Sequence, residues 1–288
     1  MGSVGNYRIL KLLGEGAFGY TYKGEHKILK VPVVLKERKV LKEEATDSVL
    51  RKRYSDLFRE EAAIIAKLRH PSLPSFMDYV ELLPNGGGQI MIISFIEGTP
   101  LDVAIGMKEG SDQVSRATKP FDDEHICWVA DRIFGALSYL HGKHQIVHCD
   151  LKPANVILDI PDHNATVVDM GMASFRPEEW SKAKGGTMGY LPPEFMLGLP
   201  PIPASDIYSV GKIMIALAGG SPARGEIPDD MNLALKDFVA AMIRHDPTQR
   251  PQSVDLLRHE IALLRKKVWG RVSCQEEMKY RNIDGGRK

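Results

Sequence analysis

His148-Cys149-Asp150-Leu151-Lys152-Pro153-Ala154-Asn155 is followed, fourteen residues on, by Asp169-Met170-Gly171. Two carboxylates, an ammonium and an amide therefore sit in short turn-forming contexts between apolar runs. Ile146-Val147 precedes the first cluster, and Val156-Ile157-Leu158 and Thr166-Val167-Val168 bracket the connection to the second. Short β-branched runs around Asp162-His163-Asn164 predict a hairpin with polar groups at its mouth. One carboxylate of such a set can accept a proton, while the other, with the amide, suits a hard cation such as Mg²⁺. The lysine offers a point charge to a migrating phosphoryl group. For any one of these residues the competing reading is simple turn formation, which Asp, Asn and Pro do routinely.

Working outward towards the N-terminus, residues 7–13, 20–25 and 30–36 read as three strands. The first turn between them is Gly14-Glu15-Gly16-Ala17-Phe18-Gly19. Without β-carbons, glycine lets the backbone approach phosphate oxygens and present N–H donors. A dinucleotide-binding fingerprint has the same spacing, but a strand follows here rather than a helix. Val33-Val34-Leu35-Lys36 ends an apolar strand on a lysine that shares a face with Val34. Two acids, Glu60 and Glu61, precede Ala62-Ala63-Ile64-Ile65, and a shift of one residue turns a helical side chain away from its partner. Residues 37–60 are charge-rich, yet Val40, Leu41, Val49, Leu50, Leu57 and Phe58 recur at broadly helical spacing and predict an extended or additional helix. Residues 76–83 and 89–95 read as strands around Asn85-Gly86-Gly87-Gly88.

Towards the C-terminus, residues 107–121 lack periodicity and read as a mobile loop. Residues 122–143 carry an apolar stripe at Ile126, Val129, Ile133, Phe134, Leu137 and Leu140, the pattern of a buried amphipathic helix. Helices are expected at 206–218, 232–244 and 251–266. The polar, basic tail at 267–288 is expected to be disordered or a partner-binding extension.

In this order and spacing, the stretches from about residue 7 to residue 266 resemble the catalytic domain of a eukaryotic-type Ser/Thr protein kinase. The resemblance implies an α+β, bilobal fold: an N-terminal antiparallel β-sheet lobe with one main helix (1–93), a hinge (94–98), a larger mainly helical lobe (99–266) and the tail (267–288). It implies ATP and Mg²⁺ (or Mn²⁺) as cofactors and a protein Ser/Thr hydroxyl as acceptor. On that resemblance Asp150 is the catalytic base, and Lys152 and Lys36 meet phosphate charge. Glu61, preferred over Glu60, holds Lys36, and Thr187 bridges Asp150 and Lys152. Asn155 and Asp169 bind metal. Leu13, Gly14, Glu15, Gly16, Ala17, Phe18, Gly19, Thr21, Val34, Lys36, Ser94, Ile96 and Ile157 contact the nucleotide, with Ile93 behind the adenine. Asp206 anchors the catalytic loop's backbone. Pro192-Pro193-Glu194 ends the activation segment, with Arg250 as the ion-pair partner of Glu194. The Asp-x-Lys-x-x-Asn order at 150–155 resembles Ser/Thr rather than Tyr enzymes.

The chain departs from the family at Cys149, where an arginine usually clamps an activation-loop phosphate, and at Met170, where the family has Phe. A thiol cannot make charge-assisted bonds to phosphate, so activity is expected not to depend on phosphorylation of Ser174 or Ser181. Met keeps apolar bulk at the metal-binding turn. Thr21 and Val34 stand where Val and Ala are usual against the adenine. The alternative reading is a pseudokinase, a nucleotide-binding or scaffolding module.

The 288 residues, 43% hydrophobic and 26% charged with a formal net charge of +1, are those of an ordinary soluble domain. Near neutrality speaks against nucleic acid as a partner, and no apolar run is long enough to span a bilayer. Three scattered cysteines suggest a reducing compartment. The expectation is a cytoplasmic protein, with the nucleus left open, and candidate regulatory contacts at 37–60 or 267–288.

Overall fold

The computed structural model describes residues 2–272 except 17–18, 83–87, 108–119, 160–162, 179–180, 182 and 184. Ala17, Phe18, most of the expected turn at 85–88, most of the 107–121 loop, Asp162 and the tail beyond 272 lie outside the described residues. The chain divides into two units, Met1–Ile96 and Glu97–Lys288.

The first unit is built on a six-stranded sheet in the order β1-β2-β3-β4-β6-β5, with every neighbouring pair antiparallel. Its strands are β1 (Ser3–Val4), β2 (Tyr7–Glu15), β3 (Gly19–His26), β4 (Pro32–Arg38), β5 (Phe76–Glu81) and β6 (Gln89–Ser94). The two-residue β1 is too short to carry a periodic signal in the sequence. Strand β4 starts at Pro32 rather than at residue 30, because residues 27–30 close a tight turn. In that turn His26 N–H donates to Val31 O, Lys30 N–H donates to His26 O, and Lys30 is left-handed at φ 58°. Alternation divides the sheet. Val33, Leu35, Ile90 and Ile92 join Val4 and Tyr7 in a buried core, while Lys36 pairs with Met91 on the opposite face.

Helix α1 (Ser48–Ile65) lies against that opposite face, at β5 and β6. A 3₁₀ turn at Lys42–Ala45 precedes it, and Asp47 caps it by accepting from Val49 N–H and Leu50 N–H. Its buried positions are Ser55, Ala62 and Ile65. The helix that the spacing of residues 37–60 predicts before Glu61 is therefore present, with Val49 and Leu57 76% and 50% exposed on it.

The second unit is mainly helical. Helix α3 (Asp123–Ser138), capped by Asp122, is its axis, and each of the six stripe residues is 0% exposed. Cys127, Trp128, Ala130 and Ala136 are buried as well, because α5 (Pro203–Leu217), α7 (Val254–Trp269) and the hairpin all pack on α3. After Ser138 the chain widens into a π-helical segment, Tyr139–His144, and leaves it through Gln145 at φ 55°. Strands β9 (Val156–Asp159) and β10 (Asn164–Val167) form the expected antiparallel hairpin, and β7 (Thr99–Pro100) pairs with β9. Short α2 (Leu101–Ala104) follows β7, and β8 (Ile146–Val147) pairs instead with β11 (Ser174–Phe175). Helices α4 (Pro193–Met196) and α6 (Leu233–Met242) complete the unit. α5 starts at Pro203, three residues before the expected position, since proline suits the first helical turn. α7 runs three residues beyond the expected end at 266, to Gly270 at φ 74°. Arg271 then forks onto Glu124 at 2.8 and 2.7 Å, so the first residues of the expected tail belong to the fold. Among the described residues no helix is long and apolar enough to cross a membrane.

Candidate active site

The segment between β8 and β9 arrives at the site by way of a fixed backbone. Asp206, wholly buried on α5, accepts from His148 N–H at 2.8 Å and Cys149 N–H at 3.0 Å, with His141 Nε2 donating at 2.8 Å. His148, 0% exposed, bonds Val168 O through Nε2 at 3.2 Å and accepts Asp150 N–H on Nδ1 at 3.4 Å. The carbonyl fixes Nε2 as the protonated nitrogen, which leaves Nδ1 free to accept. Cys149 takes the left-handed φ of 69° that this turn requires, with its thiol buried and directed at Val147 O. Nothing local in the sequence gives His148 a role. Its part as a strut between the two polar clusters depends on a contact twenty residues away.

On this frame the polar groups converge. Asp150 Oδ1 accepts from Thr187 Oγ1 at 3.0 Å, and Lys152 Nζ lies 2.9 Å from Asp150 Oδ2. Lys152 Nζ also donates to Thr187 Oγ1 at 2.7 Å, closing a triangle. Asn155 Nδ2 donates to Asp150 O and Oδ2 at 2.8 and 3.1 Å. Three donors therefore face a carboxylate that is 9% exposed. A carboxylate offers about four acceptor sites, so one remains for a further hydroxyl.

Asn155 O accepts Val168 N–H at 2.9 Å, which brings the following residue, Asp169, beside the first cluster. Asp169 is left-handed at φ 66°, and its Oδ1 accepts Gly171 N–H at 3.3 Å. Met170 packs at 6% exposure. With its nitrogen committed to Asp150, Asn155 has only its amide oxygen to offer elsewhere. That oxygen and the Asp169 carboxylate form an all-oxygen donor set suited to Mg²⁺, which takes one or two protein ligands and completes its shell with water and phosphate. Among the described residues no group of three or more His, Cys, Asp and Glu side chains forms a cage of its own.

In the first unit, Lys36 is half-buried on the face of β4 shared with Val34, and Thr21 lies directly across from it on β3. Glu61 is half-buried beside Ala62, whereas Glu60 is exposed on the outer side of α1. Leu13 is 48% exposed on β2. Ser94 ends β6, its N–H donating to Ser75 O and its hydroxyl accepting Ser75 N–H at 2.9 Å, and Ile96 closes the unit. Ile157 lies half-buried on β9 of the second unit. Gly16 N–H donates to Gly19 O at 2.9 Å to close the glycine turn. Its glycines differ in kind. A Cβ at Gly19 would meet Glu37 O at 2.3 Å, so the sheet itself requires glycine there. A Cβ at Gly14 would meet nothing within 4 Å, and one at Gly16 only Gly19 O at 3.8 Å. Packing does not explain those two.

Beyond the site, Glu194 and Arg250 form a buried bidentate pair at 2.8 and 2.7 Å, joined by Ser205 Oγ at 2.7 Å. Burial pushes the Glu194 carboxyl up, but the bonds from Arg250 and Ser205 outweigh it and hold the group below the usual glutamate range.

An antiparallel-sheet unit with one main helix, followed by a mainly helical unit carrying this constellation, defines an α+β protein of two units. A family model described as "Protein kinase domain" matches residues 7–231, and the chain belongs to the protein kinase family. It is similar to the "Serine/threonine-protein kinase Nek6" of Oryza sativa subsp. japonica, 28% identical over 275 residues covering 88% of this chain and 47% of that protein. It is also similar to the "Aurora kinase" of Schizosaccharomyces pombe, 27% identical over 289 residues, 94% of this chain and 76% of that one. "Serine/threonine-protein kinase PknA" of Mycobacterium tuberculosis is 26% identical over 283 residues, 91% and 62% respectively. The chain spans about half the length of the rice relative.

Proposed function

We infer that the chain transfers the γ-phosphate of ATP to a Ser or Thr hydroxyl of a protein substrate. The observation that carries this reading is the triangle of Asp150, Lys152 and Thr187, closed by Asn155. In the reaction the acceptor oxygen forms a bond to the γ-phosphorus as the bond to the β–γ bridging oxygen breaks, and ADP leaves. Asp150 orients the hydroxyl through its remaining acceptor site and takes its proton. Lys152, held by Thr187, meets the negative charge that develops on the transferred group. Asn155 and Asp169 are the residues that would hold Mg²⁺, whose chemistry is to neutralise phosphate charge. Lys36, held by Glu61, and the amides around Gly14 and Gly16 are assigned to the nucleotide phosphates. Leu13, Thr21, Val34 and Ile157 are assigned to the adenine, with the backbone of Ser94 and Ile96.

The buried thiol of Cys149 supports a second element of the reading, that turnover needs no phosphate on the activation segment. Ser174 lies half-buried on β11, its backbone paired with Val147 two residues before that thiol.

The experiment is phosphate transfer from ATP-Mg²⁺ to the protein itself and to a generic basic protein. Transfer onto Ser or Thr that Asp150→Asn and Asp169→Asn each abolish is the expected result. Nucleotide binding without transfer in the wild type would replace the enzyme with a nucleotide-binding scaffold. Ser174→Ala with Ser181→Ala should keep activity within about threefold, less than the cost of one charged hydrogen bond; a large loss would restore dependence on an activation-loop phosphate.

A further inference from the structure

The charge-rich stretch after β4 holds a polar cluster that the proposed chemistry does not use. Arg38, the last residue of β4, is 6% exposed, and Glu44 and Gln89 are each 0% exposed. Arg38 Nη1 donates to Glu44 Oε2 at 2.7 Å, and Arg38 Nε donates to Gln89 Oε1 at 2.8 Å. The other Glu44 oxygen accepts Leu41 N–H at 2.9 Å, and the Glu44 carbonyl accepts Arg51 Nε and Nη2 at 3.1 and 2.7 Å. Gln89 Nε2 donates to Tyr79 Oη at 2.7 Å and to the carbonyl of Ser55, in the middle of α1, at 3.2 Å.

The alternation of β4 gives this cluster its meaning. Arg38 is two residues beyond Lys36 and so lies on the same face of the strand. The pairing of Lys36 with Met91 places Gln89 opposite Arg38 on that face. From Arg38 the network runs both ways into α1: through Glu44 to Arg51 in its second turn, and through Gln89 to Ser55 one turn later. Glu61 comes six residues after Ser55, on the flank of the same inward side. Arg59, four residues after Ser55, is also tied down, to Glu81 of β5 at 3.1 Å.

We propose that Arg38, Glu44 and Gln89 are positioning residues, an internal brace that fixes the register of α1 on the sheet and thereby holds Glu61 towards Lys36's strand. This rests on the role given to Glu61 above. A helix with one face on a sheet can slide or rotate by small steps, because apolar contacts are non-directional. Directional bonds among fully buried charges resist such steps, since any shift strands a charge or an amide away from water. The consequence is a helix held by the chain's own segment between β4 and α1. Placing Glu61 then needs neither a partner nor a phosphate.

The test pairs hydrogen exchange with turnover on the full chain. Arg38→Met with Glu44→Leu replaces the ion pair by apolar groups of similar bulk, a change buried pairs often tolerate. Gln89→Met is the second variant, which cuts the tie to Ser55 and keeps the volume. Amide exchange over residues 55–65 should rise about tenfold in both, with β3 and β4 unchanged. Phosphate transfer should fall about tenfold in the wild-type background, but less than about twofold in a Glu61→Ala background, because the loss acts through that residue. Unchanged exchange over α1 in either folded variant would overturn the brace. Equal losses of transfer in both backgrounds would overturn its link to Glu61. If Glu61→Ala alone leaves transfer intact, the role given to Glu61 fails, while the exchange data still judge the brace.

Discussion

The glycine turn separates what the fold needs from what a ligand needs, and three alanine substitutions read the difference. At Gly19 the new methyl carbon would sit 2.3 Å from Glu37 O, about 1 Å inside ordinary contact. Neither backbone can yield cheaply, because Gly19 pairs with Arg38 and Tyr20 with Glu37 across β3 and β4. Overpacking of this kind costs about 1–3 kcal/mol. For a unit of this size each kcal/mol shifts Tm by about 4–8 °C. Gly14→Ala and Gly16→Ala meet open space or ordinary contact, at backbone angles outside the left-handed region. They should leave stability unchanged or raise it by about 0.4–1 kcal/mol, through the smaller entropy of the unfolded chain. If those glycines are bare so that phosphates can approach, the methyl should cost about 1.4 kcal/mol of nucleotide binding, a tenfold rise in the Kd for ATP. Thermal unfolding monitored by circular dichroism and nucleotide titration by calorimetry give the two readouts. Wild-type ATP affinity in both Gly14→Ala and Gly16→Ala would refute the cradle. A Gly19→Ala protein as stable as the wild type would refute the steric argument.

Thr187→Ser keeps both bonds to Asp150 and Lys152, so transfer should stay within about threefold, whereas Thr187→Val keeps the shape and should lose about tenfold or more. Steady-state phosphate transfer at saturating ATP decides this, and equal rates for the two would deny the hydroxyl a role. Glu194→Ala leaves the Arg250 guanidinium buried and should cost about 3–5 kcal/mol in urea unfolding, while Glu194→Leu with Arg250→Met together should cost far less. The same pair sets an acid limit. The folded Glu194 carboxyl lies below its unfolded value, so its contribution is complete above about pH 4.3 and is lost as pH falls through the lower folded value. Unfolding free energy measured between pH 6 and pH 3 should therefore fall more steeply in the wild type than in the Glu194→Leu, Arg250→Met protein, and parallel curves would remove the pair from the acid response.

Much of the molecule was legible in order and spacing. The strand pattern of the first unit, the stripe of α3 and the β9–β10 hairpin follow from local periodicity, because side-chain direction repeats every two residues in a strand and every 3.6 in a helix. The polar types at 148–155 and 169–171 mark the candidate site in the sequence, since carboxylates, an ammonium and an amide recur there in short turns between apolar runs. The sequence could not say which positions of α1 face inward. Val49 and Leu57 are apolar at helical spacing and are exposed, while the polar Ser55 is buried. It could not separate Glu60 from Glu61 except by likeness to a family; in the folded chain one is exposed and the other half-buried beside Ala62. His148 as a strut, Arg271 on Glu124 and the brace of Arg38, Glu44 and Gln89 depend on residues brought together from far along the chain. Periodicity records the direction of each side chain within its own element. What that side chain meets is fixed only when the elements pack, and buried polar groups, which must find partners there, are where the tertiary structure decides most.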